Sequence, residues 1–364
     1  MAQPLCPYFG TCGGCSAQHI DYETQLENKK KKLASAIKYP EIEVFSKEPY
    51  HYRNRMDLIF HKKSLGFREK GKWHKIVDID HCPISNAKLN LLLSEIREFF
   101  KDPDYFHLTK HTGTLRYAVI RTPGQDSCIS FVLNPKSPKL AETIDQIKLF
   151  SAETSANNVL VTYVAPETDM SVSDDFFAIK GSQMLTENLL GKTFVYSAQG
   201  FFQNNSAVTE LMQKYCHDLL DKNPDGKLLD LYGGVGTFGI MNSDNFNWVY
   251  VVENSEQCIK AARQNILNNN VNNISAHNLN AKSIQQLNLT ENLFVIIDPP
   301  RKGMQPEAIK RLNKLQARQI IYISCNPAQL GKDLKKFTSY RINSAAMFDM
   351  FPQTPHIESI VELR

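Results

Sequence analysis

The apolar positions of this chain change their period near residue 185. Before that point short apolar or alternating runs are bounded by turn residues, at 52–61, 65–67, 73–79, 115–121, 128–133 and 159–164. Such runs predict short strands. Residues 21–38, with Asp21 as a cap, and 86–101 predict helices. After 185 the apolar runs at 227–232, 248–253, 294–298 and 319–325 alternate with helical patterns at 256–269, 305–316 and 327–337. Strand and helix in alternation imply a parallel, doubly wound α/β sheet. A last strand at 357–363 is expected to return antiparallel at the sheet edge. The expected organisation is an α+β domain over 1–185, strand-rich and antiparallel in character, followed by a Rossmann-like α/β domain over 186–364. The helix at 21–38 is free to dock on either.

At 364 residues the chain has room for two or three cores. No apolar stretch approaches the roughly 20 residues that span a bilayer. The start, Met-Ala-Gln-Pro-Leu-Cys-Pro, lacks a basic and then apolar signal segment. A cytoplasmic, membrane-free monomer is expected. Net charge is only +4, yet between Lys47 and Lys75 nine Lys and Arg stand against three acidic residues. Tyr50, Tyr52, Phe60, Phe67 and Trp73 are interleaved with them. Cations that meet phosphates and rings that stack on bases suit a nucleic-acid surface; a solvated strand face with core aromatics is the alternative.

Eight cysteines in such a chain do not suggest disulfides. Cys128, Cys216 and Cys258 lie in strand-like or helix-like runs and read as core. Cys6, Cys12 and Cys15 are different, because they sit close together among Gly10, Gly13 and Gly14. Thiolates on short glycine-rich loops fit an iron–sulfur cluster or a zinc site. A fourth ligand is needed, and Cys82, followed by Pro83, is the first candidate, with His19 and His81 as alternatives. Four cysteine ligands suit either metal.

Leu229-Asp230-Leu231-Tyr232-Gly233-Gly234-Val235-Gly236-Thr237-Phe238-Gly239 is a strand that enters a glycine-rich turn and a helix. Glycines let the backbone pass close to a ligand, and a helix start offers free amides. The turn alone suits NAD, FAD or S-adenosylmethionine. Glu253, at the end of the second strand, can accept both ribose hydroxyls of an adenosyl group. Asp230 before the turn and the Asp298-Pro-Pro wall after a later strand favour the cationic S-adenosylmethionine. Asn280 is a candidate for the adenine or an ordinary loop residue. Most telling is Cys325, where the apolar run 320–323 ends in Ser324-Cys325-Asn326-Pro327. A thiol at the mouth of a strand, beside a cofactor turn, reads as a nucleophile.

Together these segments resemble the uracil-C5 RNA methyltransferases, which include tRNA T-loop and 23S rRNA enzymes. The resemblance covers almost the whole chain and rests on Cys6, Cys12, Cys15 and Cys82; Phe201-Phe202-Gln203-Asn204-Asn205; the glycine-rich turn; Asp298-Pro-Pro-Arg-Lys-Gly; Ser324-Cys325-Asn326-Pro327; and His356-Ile357-Glu358-Ser359. It implies that Cys325 adds to C6 of uracil and that Glu358 later removes the C5 proton. Without it Glu358 reads as a surface residue of an edge strand. It also implies that Gln203, Tyr232, Glu253 and Asp298 bind S-adenosylmethionine, with Asp298 able to face the uracil edge. A core place for Tyr232 and a helix-capping place for Gln203 are the plainer readings.

By the same resemblance the four cysteines hold a 4Fe–4S cluster. The first domain becomes an iron–sulfur and RNA-binding domain, and the second the methyltransferase domain. Many members begin with an additional small β-barrel; here the first cluster cysteine is residue 6, so that module is expected to be missing. RNA is then expected to be gripped by the cluster domain, segment 47–75 and the cleft. Residues 53–55, 66–73 and 348–352 look closest to archaeal enzymes of the tRNA T-loop, with 23S rRNA as the alternative substrate. Either way the target is a loop uridine turned out of its stack. A non-catalytic RNA-binding protein and an amino-group methyltransferase of adenine or guanine are the rival readings.

Overall fold

The computed structural model describes residues 2–287, 289 and 292–364. The chain forms two compact units. The first comprises the chain through Asp21, Glu48–Glu187 and Ser197–Ser206; the second comprises Tyr22–Lys47, Asn188–Tyr196 and Ala207–Arg364. The units therefore do not follow one boundary near 185. Leu33, Ile37 and Ile42 share a core with Leu312, Leu330 and Met347, which assigns the first helix to the second unit. In the other direction, Arg121 donates to the Gly200 carbonyl at 2.5 Å, and Gln199 donates to Ser130 and Thr162.

The first unit is a seven-stranded sheet. In spatial order its strands are Lys72–Asp78, Ser64–Glu69, Arg55–His61, Leu115–Arg121, Cys128–Leu133, Asn158–Tyr163 and Phe176–Lys180. Neighbours are antiparallel with one exception, Cys128–Leu133 beside Asn158–Tyr163. That parallel pair needs a crossover, and the helix Leu140–Glu153 supplies it. A second helix, Ala87–Phe99, starts where Asn86 Oδ1 accepts the Leu89 amide at 2.8 Å. It buries Leu89, Leu92, Leu93 and Ile96 against Leu58, Phe60 and Phe131.

The second unit is built on eight strands, in the order Ile42–Phe45, Ile342–Phe348, Glu358–Leu363, Gln319–Ser324, Leu293–Ile297, Asn223–Leu231, Phe246–Glu253 and Ile274–Asn278. All neighbours are parallel except Glu358–Leu363, which is antiparallel to both of its own. Gln319–Ser324 and Leu293–Ile297 are buried throughout, as strands covered on both faces must be. Strand order reverses between Asn223–Leu231 and Leu293–Ile297, and a doubly wound sheet opens its ligand crevice at such a point.

The last strand is antiparallel as expected, but it is not at the edge. Ile342–Phe348 and then Ile42–Phe45 extend the sheet beyond it. Among the described residues no helix is long and apolar enough to cross a membrane.

Candidate active site

The glycine-rich turn follows Asn223–Leu231 directly. Tyr232 adopts a left-handed backbone (φ 64°), as do Gly234 (53°) and Gly236 (85°). Gly233 is fixed by space instead: a Cβ there would lie 2.7 Å from Val251 Cγ1 and 2.8 Å from Asp230 Oδ2. Asp230 is fully buried and its Oδ2 accepts the Gly239 amide at 2.8 Å, which pins the turn to the helix Thr237–Met241. Its Oδ1 is buried without a hydrogen-bond partner among the described residues. The Asp230 carboxyl is pushed up to about 7, chiefly by burial and further by the charges of Asp298 and Glu253, against the Gly239 amide, which lowers it.

Glu253 ends the neighbouring strand half-buried. Its Oε1 accepts the amides of Asn254 (2.7 Å) and Ser255 (2.9 Å), and Oε2 faces the Gly234 amide at 3.4 Å. A carboxylate held by backbone amides at a glycine turn is a ready acceptor for vicinal hydroxyls. Asp230, Glu253 and Asp298 together favour a cationic ligand over a pyrophosphate. Asn280 turns back on its own loop, where its Oδ1 accepts the Lys282 amide.

Three further residues gather at the same end of the sheet. Asp298 follows Leu293–Ile297, and Cys325 follows Gln319–Ser324. Glu358 begins the antiparallel strand, so its first residue meets the other strands' last. Ser324 is paired with Ser359, which sets Cys325 and Glu358 on adjacent strands. Glu358 is 4% exposed, contrary to a surface position. Its burial follows from the strand's internal place in the sheet.

Electrostatics ties the three together. The Cys325 thiol is raised to about 11, by burial first and then by Glu358 and Asp298, with Arg301 opposing them. Burial pushes the Glu358 carboxyl well above its ordinary range, with Asp298 adding to the effect. Asp298 itself rises to about 7 through burial. Asn326 laces the loops together, since its Nδ2 donates to the Arg301 carbonyl (3.0 Å) and its Oδ1 accepts the Gln329 amide at the start of Pro327–Leu334.

Sequence pattern did not single out Asp333, yet it organises this region. Fully buried, it accepts from the Met304 amide (3.0 Å), Tyr322 hydroxyl (2.9 Å), Gln329 amide group (3.1 Å) and Lys336 ammonium (2.9 Å). The signal available in the sequence is an acid placed on the inward face of the helix after Cys325.

The remaining candidates lie in the first unit. Gln203 is partly buried, and its carbonyl faces the Asn54 side chain at 3.5 Å. Cys6, Cys12, Cys15 and Cys82 line one cavity of about 230 Å³, with His81, Met56, Phe67 and Ile79. The Cys12 loop is fastened to a strand through Gly13 to Arg68 and Lys70 to Thr11 backbone bonds, and Cys82 is held by two bonds to Asn90. Gly14 donates its amide to Cys12 Sγ at 3.4 Å. Burial raises the thiols of Cys12 and Cys15 to about 11. Among the described residues no three His, Cys, Asp or Glu side chains converge on a single ion position.

Of the aromatic residues in segment 47–75, Phe60 is core, and Tyr50, Tyr52 and Phe67 pack against that core. Trp73 is 61% exposed, on an edge strand beside the exposed Lys70, Lys72 and Lys75. Arg55 and Arg68 are engaged by Asp57 and Asp169.

Known proteins are similar to this chain in sequence and fold. The chain is 34% identical to a tRNA (uracil(54)-C(5))-methyltransferase from Pyrococcus abyssi, over 99% of this chain and 85% of the relative. It is 32% identical to an uncharacterised RNA methyltransferase from Clostridium acetobutylicum, over 100% of this chain and 84% of the relative. The crystal structure of the Pyrococcus abyssi tRNA (uracil-54, C5)-methyltransferase in complex with S-adenosyl-L-homocysteine superposes with a TM-score of 0.83 at 31% identity, covering 98% of this chain and 86% of that one. The family described as tRNA (Uracil-5-)-methyltransferase matches residues 21–364, which include the glycine turn and the Asp298, Cys325 and Glu358 strand ends. The chain belongs to the tRNA (uracil-5-)-methyltransferase family and is an RNA uracil-C5 methyltransferase.

Proposed function

We propose that the chain methylates C5 of the T-loop uridine at position 54 of tRNA, through a covalent adduct between Cys325 and C6. The observation that carries this reading is the gathering of Asp298, Cys325 and Glu358 at adjoining strand ends, with Cys325 and Glu358 set side by side by the pairing of Ser324 with Ser359. S-adenosyl-L-methionine supplies an electrophilic methyl group when bound. Tyr232, Glu253 and Asp298 line its crevice, Gln203 is assigned to it by family resemblance, and Asp298 also serves the uracil edge.

The chemistry asks little else of the protein. Cys325 reacts as its thiolate, the thiol proton passing to water; as the sulfur bonds to C6, the C5–C6 π pair shifts towards C5 and the C4 carbonyl oxygen and makes C5 nucleophilic. After methylation, C5 carries both a methyl group and a proton. Glu358 takes that proton, the electron pair restores the C5–C6 double bond, and the C6–sulfur bond breaks to return the Cys325 thiolate. Burial that raises the proton affinity of Glu358 makes its carboxylate a stronger base for this step.

The four cysteines are assigned to a 4Fe–4S cluster. The support is the family resemblance together with four cysteines lining one cavity, a donor set that such a cluster takes. Methyl transfer needs no electrons, so a structural or RNA-positioning role for the cluster is more economical than a redox one. RNA phosphates are assigned to Lys62, Lys63, Lys70 and Lys75, with Trp73 as a stacking platform.

The test is nucleoside analysis of tRNA and 23S rRNA, each incubated with anaerobically purified protein and labelled S-adenosylmethionine. 5-Methyluridine in tRNA at position 54 is expected. Label in 23S rRNA alone transfers the reading to that substrate, and methylated adenine or guanine overturns it.

A further inference from the structure

The helix Tyr22–Ile37 buries an unusual stripe, Gln25, Lys29, Leu33 and Ile37. The last two fill the core, but the first two are polar. Lys29 is 5% exposed, although it opens the run Lys29 to Lys32 that reads as a solvated basic face. Its Nζ donates to Asp349 Oδ1 at 2.6 Å and to the Phe351 carbonyl at 3.1 Å. Tyr22 donates its hydroxyl to Asp349 Oδ2 at 2.8 Å, and Gln25 Nε2 donates to Gln353 Oε1 at 3.0 Å. Asp349 is fully buried, and its amide bonds to the Phe45 carbonyl.

All of these bonds end on one segment, the loop that leads from Ile342–Phe348 into Glu358. Gln353 within it takes a left-handed backbone (φ 66°). Further along, the same helix presses on the segment after Cys325: a Cβ at Gly331 would lie 2.1 Å from the Ala36 carbonyl oxygen. One helix thus touches both the loop that carries Glu358 and the helix that starts behind Cys325. A buried ion pair seldom adds net stability over an apolar pair of the same shape, whereas fixing a register is its best-attested use.

We infer that Lys29, through Asp349, is a positioning residue that holds the Glu358 loop in place for removal of the C5 proton. This rests on the reading of Glu358 as the base. Lys29 spends its ammonium on Asp349 and the Phe351 carbonyl, in the loop before Glu358, so its loss should spare methyl transfer and slow release. The adduct then persists with the methyl group already on C5, because the proton that must leave before the C6–sulfur bond breaks is poorly reached.

Three measurements on the full chain test this: S-adenosylmethionine affinity, methyl transfer in a single turnover, and covalent RNA adduct on a denaturing gel. For Lys29→Met, turnover should fall on the order of tenfold to a hundredfold and adduct should accumulate, while single-turnover methyl transfer stays within about threefold of wild type. Tyr22→Phe, which removes one donor from Asp349 and leaves Lys29 in place, should shift the same partition by about a few-fold and keeps the test available if Lys29→Met does not fold. Wild-type turnover in folded variants, or equal loss of methyl transfer and release without adduct, overturns the inference. Glu358→Gln run in parallel separates the two readings. Adduct in that variant but in neither of the others sinks only the role of Lys29; no adduct in Glu358→Gln sinks the base assignment itself.

Discussion

Ser359 donates its hydroxyl to the Ser324 carbonyl oxygen at 3.0 Å, across the pairing of two central strands. Each of these serines is the chain neighbour of a proposed catalytic residue, Cys325 and Glu358. The proposed nucleophile and the proposed base are therefore set by sheet register, and a side-chain bond spans that pairing. Glu358→Gln keeps the register and removes the base. Methyl transfer should proceed once and leave a covalent RNA adduct, seen as a slow band on a denaturing gel. Normal multiple turnover without adduct would remove Glu358 from the mechanism.

Ser359→Ala tests that bond itself. The Ser324 carbonyl loses a buried donor, at a cost of about 1–3 kcal/mol. Urea unfolding should show that loss, and turnover should fall in the folded protein. A variant with unchanged stability would mean that the strand pairing alone sets the register.

Asp230 and Asp298 give an unusual pH dependence. Both are raised from 3.8 to about 7 by burial. The unfolded chain releases these protons near pH 4, and the folded protein releases them near 7. In between the folded state binds more protons, so their contribution to stability is present below pH 4 and is lost as pH rises through 7. Asp57, Asp78 and Asp221 are lowered by their Arg partners and act with the opposite sign, so a difference measurement is needed. The melting temperature of Asp230→Asn minus that of wild type should increase from about pH 4.5 to 7.5. A flat difference would contradict the raised value.

Much of the second unit is legible in sequence because its strands are continuous apolar runs that end abruptly. The mouth position of Cys325 and the wall formed by Asp298-Pro-Pro can be read that way. The place of Glu358 cannot, because it depends on Ile42–Phe45 and Ile342–Phe348. The first is four residues long and pairs with a strand some 300 positions away. Local pattern carries no record of such a partner, so the strand looks like an edge and its acid like a surface group. Lys29 is hidden for the same reason, since its neighbours Lys31 and Lys32 are exposed and only tertiary contact marks it as inward. In the first unit the close spacing of Cys6, Cys12 and Cys15 is plain. Cys82 joins their cavity through a fold that local spacing does not encode. The aromatic residues of 47–75 show the limit of composition: four serve the core, and Trp73 alone is well exposed.

Gly303 tests the loop behind Cys325. It has φ 79°, and a Cβ there would lie 2.3 Å from Asp333 Oδ2 and 2.6 Å from Gln329 Cγ. Gly303→Ala therefore combines left-handed strain with a clash against the residue that also holds Met304 and Tyr322. A loss of about 1–3 kcal/mol is expected in urea unfolding. Turnover should fall as well, because the segment bearing Asp298 and Arg301 shifts against Asn326. Wild-type stability would mean that Asp333 is free to move aside.

The cysteine cavity makes a prediction that does not depend on RNA. Protein purified without oxygen should be brown, absorb near about 400 nm and carry about four irons per chain. Cys82→Ser should lower the iron content while the fold around it is kept, since both bonds of residue 82 to Asn90 run through its backbone. Cys128→Ser is the control: Cys128 is buried in a strand away from the cavity lining, so it should keep the colour whatever it costs in packing. If the Cys82 variant stays brown with full iron, the fourth ligand is another residue, and His81 on the same cavity wall is the one to replace next. A colourless, zinc-loaded protein would overturn the cluster assignment. The methyl-transfer scheme would stand, because none of its steps uses those thiols.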